Sequence, residues 1–90
     1  MYKIYLLISE DNKKTYIGFT DDINRRINEH RKQKVKTTKN FGKFRIIILE
    51  ELKETDNTQD ARHKEKYWKS GAGRNKVKII FKNMVPSSNG

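Results

Sequence analysis

Three apolar runs separated by polar segments predict three β-strands. The run Tyr2–Ile8 is rich in aromatic and branched residues and is too short for a helix. After a polar turn, Thr15–Phe19 has a similar composition, and the two runs predict a β-hairpin. Phe44–Leu49 is nearly unbroken in its apolar character, which predicts a third strand that is buried on both faces.

The polar turn also predicts the register of the hairpin. If Glu10 faces Lys13 across the turn, Tyr5 lies opposite Gly18. Tyr16 then shares the face of Tyr5 at a diagonal step, and the glycine leaves space beside the phenol. A slip of one residue would move every side chain to the other face of the sheet.

Two later segments carry the signals of helix ends and of helical spacing. Thr20 is the expected N-cap of a helix over residues 21–33, in which isoleucines recur at helical spacing. Polar residues at 56–58 offer caps for a second helix over residues 58–69.

The sequence is compatible with two structures near the end of the chain. Residues 74–82 form either a final helix or an irregular arm, and residues 83–90 are expected to be a flexible tail. The order β-β-α-β-α, with or without an extra C-terminal helix, predicts an α+β domain over residues 1–82. Its core would be a small three-stranded antiparallel sheet flanked by helices.

Composition indicates the kind of partner. Of the 90 residues, 36% are charged and only 33% are hydrophobic, a balance that is also found in disordered chains. The dense apolar runs favour a small folded domain with a thin core instead. The net charge of +10 is typical of proteins that bind nucleic acid, and the alternative is that it serves solubility alone.

Several classes of protein are excluded or disfavoured by the same composition. No run approaches the roughly 20 apolar residues of a membrane span, and there is no charged-then-apolar leader. We therefore expect a cytoplasmic protein without a membrane partner. The chain has no cysteine and 2 histidines, which excludes disulfides, thiolate zinc sites and a multi-histidine metal cluster.

One carboxylate stands out on the predicted second helix. Ala61, Glu65 and Trp68 are spaced so that they share one face, which places Glu65 at the rim of the core. It is also the only acid after Ala61, among many lysines and arginines. Such a carboxylate is either paired in a salt bridge or a ligand of a divalent metal ion among phosphate-binding cations.

Two pairs of side chains are further candidates for chemistry. Arg26 and His30 are four residues apart, so they share one side of the predicted first helix. Arginine suits a phosphoryl oxygen and histidine exchanges protons near neutrality, although both also occur at ordinary helix edges. Tyr5 and Tyr16 are equally compatible with core packing and with chemistry. His63 falls on the opposite side of its helix from the carboxylate and has no expected role.

The order and spacing of four short motifs resemble the GIY-YIG nuclease family, in particular small stand-alone members similar to the amino-terminal nuclease domain of the bacterial excinuclease. The motifs are Lys3-Ile4-Tyr5, Tyr16-Ile17-Gly18, Arg26-x-x-x-His30 and Glu65-Lys66-Tyr67-Trp68. Lys3 stands where the family has a glycine, and the late asparagine of many members falls on either Asn75 or Asn83.

The resemblance implies a metal-dependent endonuclease that hydrolyses phosphodiester bonds with little sequence specificity. Its catalytic residues would be Tyr5, Tyr16, Arg26, His30 and Glu65, with Glu65 binding one Mg²⁺ or Mn²⁺. Tyr5 would activate the attacking water, which requires that Arg26 and the ion lower its pKa from about 10. Tyr16 would position the water or the phosphate, Arg26 would stabilise negative charge, and His30 would relay a proton or hydrogen-bond a tyrosine.

Other basic side chains are expected to contact phosphates without reading bases. They are Arg25, Arg31, Lys32, Lys34, Lys36, Lys39 and Arg74. DNA is expected rather than RNA, with structure-selective cleavage in DNA repair or recombination and a larger protein of that process as a candidate partner. The alternative is a non-catalytic nucleic-acid-binding module that uses the same basic face.

Overall fold

The computed structural model describes residues 1–10, 14–32 and 43–84. In these ranges the elements are β1 (Lys3–Ser9), β2 (Thr15–Thr20), α1 (Ile23–Arg31), β3 (Phe44–Glu51), α2 (Thr58–Lys69) and α3 (Gly71–Met84). The C-terminal segment that the sequence leaves open is therefore a helix, and it continues beyond residue 82. Residues 85–90 of the predicted tail lie outside the described ranges.

The three strands form one antiparallel sheet in the order β2-β1-β3. Together with the helices this is the α+β fold that the sequence predicts. In the hairpin Tyr5 pairs with Gly18 and Leu7 pairs with Tyr16, so the predicted register is confirmed. The central strand, β1, is buried from Ile4 to Ser9, because strands cover both of its edges and helices cover both of its faces.

Alternation along β1 divides the core into two layers on opposite faces of the sheet. One layer contains Tyr5 and Leu7 together with Ile23 of α1. The other layer joins the remaining apolar residues of β1 to the inward side chains of α2 and α3, which are Ala61, Trp68 and Val77. The sheet therefore lies between α1 and the α2–α3 pair.

β3 differs from its prediction. The apolar run predicts burial on both faces, but the residues of β3 are only half-buried or exposed, and Ile48 is 38% exposed. The reason is its place at the edge of the sheet, where a neighbouring strand covers one side only. A β-bulge between Ile48 and Glu50 turns Glu50 toward α2, where its Oε1 accepts a hydrogen bond from Trp68 Nε1 at 3.2 Å.

Polar caps determine where the helices begin. The prediction of Thr20 as the first N-cap is wrong, because Thr20 still belongs to β2. The N-cap is Asp22, whose carboxylate accepts from the backbone N–H of Arg25 at 3.1 Å, and Thr20 Oγ1 accepts from the N–H of Asp22 at 3.1 Å in the preceding turn. Asn57 caps α2 in a capping box, as the polar segment before that helix predicts.

Candidate active site

Tyr5 is the centre of a hydrogen-bonded group beneath α1. Its side chain leaves the middle of β1 and is fully buried. His30 Nε2 lies 2.9 Å from Tyr5 Oη, and Arg26 Nε donates to the same oxygen at 3.2 Å. Because Arg26 and His30 are about one turn apart, a single helix brings both side chains to the phenol.

Tyr16 completes this group from the neighbouring strand. Its ring centroid lies 6.1 Å from that of Tyr5 and 5.2 Å from that of His30. A Cβ atom at Gly18 would lie 2.6 Å from Tyr5 Oη and 2.9 Å from Tyr16 Cε1, so only glycine leaves room for both phenols. Tyr5, Tyr16, Arg26 and His30 are referred to below as the tyrosine cluster.

Burial makes Tyr5 a weaker acid than an ordinary tyrosine. Loss of solvent raises the pKa of Tyr5 to about 12, and this effect outweighs the opposing hydrogen bond from Arg26. The activation of water that the resemblance implies for Tyr5 requires the opposite direction, a pKa lowered by Arg26 and a bound ion. At neutral pH the phenol of Tyr5 therefore keeps its proton.

The protonation state of His30 is compatible with a protonated phenol at Tyr5. Burial and the neighbouring charge of Arg26 lower the pKa of His30, so the imidazole is neutral near pH 7. A neutral ring can accept from Tyr5 at Nε2, while Tyr5 accepts from Arg26. These hydrogen bonds fix the positions of the phenol and the guanidinium relative to each other.

Glu29 also belongs to the site, although no motif singles it out. Arg26 Nη1 lies 3.0 Å from Glu29 Oε1. Burial alone would lower the pKa of Arg26, but the hydrogen bonds to Tyr5 and Glu29 hold that pKa above its ordinary value. The hydrogen bond from Arg26 in turn lowers the pKa of Glu29. The three-residue spacing on a predicted helix is the signal that identifies such a pair in a sequence.

Glu65 lies on α2, which packs against the other face of the sheet. It follows Ala61 and precedes Trp68 on the inward side of the helix, and 22% of its side chain is exposed. Lys69 Nζ lies 3.3 Å from Glu65 Oε1, so the salt bridge that the sequence leaves open as an alternative is present. This pair neutralises the carboxylate at the margin of the core.

The carboxylate of Glu65 fits a loosely held divalent cation. Among the residues that the structure describes, no three histidine, cysteine, aspartate or glutamate side chains are grouped around a potential metal position. A single partly exposed carboxylate suits a hard cation that keeps most of its water ligands and completes its shell with substrate oxygens. Thiolate or imidazole donors are not needed for such an ion.

A cleft at the edge of β2 is lined by one member of the tyrosine cluster, Tyr16, and by Lys69, the partner of Glu65. Its volume is about 700 Å³, and its lining residues are Thr15, Tyr16 and Ile17 of β2, Lys69 of α2, and Arg74, Val77 and Lys78 of α3. The other catalytic residues that the sequence predicts are not among these lining residues; they are Tyr5, Arg26, His30 and Glu65. Tyr16 belongs both to the tyrosine cluster and to the lining of the cleft, because it lies on an edge strand that has a neighbouring strand on one side only. We refer to this space as the β2 cleft. The motifs do not indicate Lys69 or Lys78, although Arg74 and Lys78 share one side of a helix.

The predicted phosphate-binding residues occupy different parts of the molecule. Arg74 lines the β2 cleft. Three others are exposed on α1 or directly after it, namely Arg25, Arg31 and Lys32. The remaining three lie outside the described ranges and are Lys34, Lys36 and Lys39. Of the two candidate asparagines, Asn75 is exposed on α3 and is not among the lining residues of the cleft.

The structure is a small α+β domain with the tyrosine cluster on one face of its sheet and Glu65 on a helix that packs against the other face. The family model of the GIY-YIG catalytic domain matches residues 1–78 of the 90-residue chain. The chain therefore belongs to the GIY-YIG family of nucleases, which hydrolyse phosphodiester bonds of nucleic acids.

No curated protein and no solved structure matches the chain. In the part of the chain that the structure describes, the helices are too short or too polar to cross a membrane.

Proposed function

We propose that the chain is an endonuclease that cleaves DNA with the help of a divalent metal ion and with little sequence specificity. The observation that supports this proposal best is the place of Tyr16. Its ring packs against Tyr5 and His30, which are buried, and Tyr16 also lines the open β2 cleft. Lys69, the partner of Glu65, lines that cleft as well.

Glu65 is the residue that would hold the ion, since divalent metals are a general requirement of GIY-YIG nucleases. When bound, the ion supplies stabilisation of the negative charge that develops on the leaving oxygen. Lys69 neutralises the carboxylate in its absence. Glu65 is therefore the residue whose loss should abolish cleavage without unfolding the protein.

Tyr16 and Arg26 are the side chains of the cluster that would act on the substrate. Tyr16 lines the cleft, so its hydroxyl can hydrogen-bond the attacking water or the phosphate. Arg26, held by Tyr5 and Glu29, offers a permanent positive charge to the phosphoryl oxygens.

Tyr5 and His30 would position these groups. Tyr5 is fully buried and has a raised pKa, so we assign it the positioning of Arg26 rather than the activation of water that the sequence predicts. His30 would keep the phenol in place by accepting its hydrogen bond.

Selection by DNA structure follows from the kind of contacts that are available. Exposed cations such as Arg25, Arg31 and Lys32 contact phosphates, which position a strand without reading its bases. We propose that the substrate is branched or otherwise non-duplex DNA of repair or recombination, and that a larger protein of that process delivers it. Binding is expected to weaken steeply with salt.

The decisive experiment is cleavage of labelled single-stranded, duplex and branched DNA with Mg²⁺, Mn²⁺ or EDTA. Wild type, Glu65→Gln and the control Glu54→Gln would be compared, because Glu54 is an exposed carboxylate in the connection between β3 and α2. We expect metal-dependent cleavage by wild type and Glu54→Gln, and none by Glu65→Gln, while all three proteins bind DNA.

Other outcomes would contradict separate parts of the proposal. Equal cleavage by Glu65→Gln and wild type would contradict the proposal, because the cleavage would then come either from a contaminating nuclease or from a site that does not need Glu65. Binding without cleavage of any DNA or RNA would favour the non-catalytic binding module. Cleavage of RNA alone would correct the substrate.

A further inference from the structure

Three cations converge on the β2 cleft from two helices. Lys69 is the last residue of α2, while Arg74 and Lys78 lie about one turn apart on α3. The lining residues that the structure describes include these three cations and no carboxylate. Lys69 is also paired with Glu65, which does not line the cleft, so the charged residues of the lining are all cations. An anion in the cleft would relieve their mutual repulsion.

The cleft is preformed because the junction of α2 and α3 is tightly packed. Gly73 lies in the first turn of α3, and a Cβ atom there would collide with the backbone of Tyr67 and Trp68. Lys76 Nζ lies 4.9 Å from the ring centroid of Tyr67 and 5.6 Å from that of Trp68. These contacts fix the direction of α3, so the cations do not depend on a ligand to bring them together.

The inner surface of the cleft suits bases rather than a second row of phosphates. Ile17 and Val77 supply apolar lining, of which Val77 is a core residue that is 9% exposed, and Tyr16 lines the cleft from the adjacent position of β2. A volume of about 700 Å³ lies within the range of pockets that hold small organic ligands. Duplex DNA keeps its bases stacked inside, whereas a single strand can place phosphates on cations and a base on an aromatic or apolar surface.

We infer that the β2 cleft binds one single strand of nucleic acid, with its phosphates on Lys69, Arg74 and Lys78 and a base against the Ile17–Val77 surface. The strand would lead directly to Tyr16. This inference rests on the proposed function only in placing the substrate at the same site, and it deepens that function by naming the strand and its path.

Direct binding in EDTA tests the inference without cleavage. The probes are a fluorescein-labelled oligothymidylate and a duplex of equal length, titrated at several salt concentrations. The cleft variant carries Lys69→Gln, Arg74→Gln and Lys78→Gln. The control carries Lys53→Gln, Arg62→Gln and Lys66→Gln, which are exposed cations outside the cleft. Both variants lose the same charge, and thermal unfolding checks that both are folded.

The cleft variant should lose more affinity for the single strand than for the duplex. Its logarithmic salt slope on the single strand should fall by about 2, because each lost phosphate contact on a single strand contributes roughly 0.7. The control should keep the wild-type slope. A double variant, Arg74→Gln with Lys78→Gln, leaves the Glu65–Lys69 pair intact and should reduce the slope by about 1.4.

Equal slope changes in the cleft and control variants would overturn the inference, because general charge would then explain binding. A wild-type slope in the cleft variant, or a loss confined to the duplex, would overturn it as well. If the cleft variant behaves as expected but wild type cleaves no nucleic acid, the strand path stands and the proposed endonuclease activity fails.

Discussion

Gly18→Ala is the substitution that most directly tests the packing of the two phenols. An added Cβ would lie 2.6 Å from Tyr5 Oη, 2.8 Å from Tyr5 Cζ and 2.9 Å from Tyr16 Cε1. The phenol cannot move freely, because its hydroxyl is bound to His30 and to Arg26. The new methyl group must therefore displace a buried, hydrogen-bonded ring.

The expected destabilisation combines three effects. Overpacking a filled core costs about 1–3 kcal/mol, and the loss of two hydrogen bonds costs about another 1–3 kcal/mol. Replacing glycine within a strand returns about 0.5–1 kcal/mol through reduced backbone entropy of the unfolded chain. The free energy of unfolding should fall by about 1–5 kcal/mol, which for a domain of this size lowers Tm by roughly 5–40 °C.

Urea and thermal unfolding, followed by circular dichroism, measure this change. Gly71→Ala is the matched control, because a Cβ at Gly71 meets no atom within 4 Å. The control should stay within about 0.5 kcal/mol of wild type. If Gly18→Ala were as stable as Gly71→Ala, the close packing of the phenols against Gly18 would be refuted.

A double-mutant cycle with Tyr5→Phe identifies the atom that is responsible. Tyr5→Phe removes the hydroxyl at 2.6 Å and leaves Cζ at 2.8 Å, so it should relieve part of the clash with the alanine. The two substitutions together should destabilise the protein less than the sum of the single effects, by at least about 0.5 kcal/mol. Strict additivity would exclude the hydroxyl as the point of contact.

Three further predictions concern the surroundings of this cluster. Glu29→Gln should lower kcat by up to about 100-fold with little change in KM, because Arg26 would then be positioned by its hydrogen bond to Tyr5 without the ion pair to Glu29. An equal rise in KM would indicate that substrate binding is lost instead. The pKa of His30 in the folded protein is lowered from 6.5, so as the pH falls this histidine is protonated in the unfolded chain before it is protonated in the folded one. The free energy of unfolding should therefore fall as the pH drops below about 6.5. His30→Gln should flatten this dependence and His63→Gln should not. Asn57→Ala should destabilise the protein by about 1 kcal/mol in urea unfolding through loss of the cap of α2, and an unchanged midpoint would show that the cap contributes nothing.

The local geometry of the site follows from the spacing of residues in the sequence. The polar turn and strand periodicity place Tyr5 opposite Gly18, and the four-residue spacing places Arg26 and His30 on one side of a helix. Such relations depend only on the repeat of a strand or a helix, so they can be deduced from spacing. The motif order was likewise sufficient to identify the family, which the match over residues 1–78 confirms.

The position of each strand in the sheet and the burial of each side chain depend on the tertiary fold. β1 rather than β3 is the fully buried strand, and the resulting burial raises the pKa of Tyr5, whereas the role that the resemblance implies for Tyr5 requires a lowered pKa. The β2 cleft joins Lys69 to Arg74 and Lys78 beside Tyr16 because α2 and α3 meet at an edge strand. Burial and contacts between distant segments depend on which element covers which, and no local repeat in a sequence encodes that arrangement.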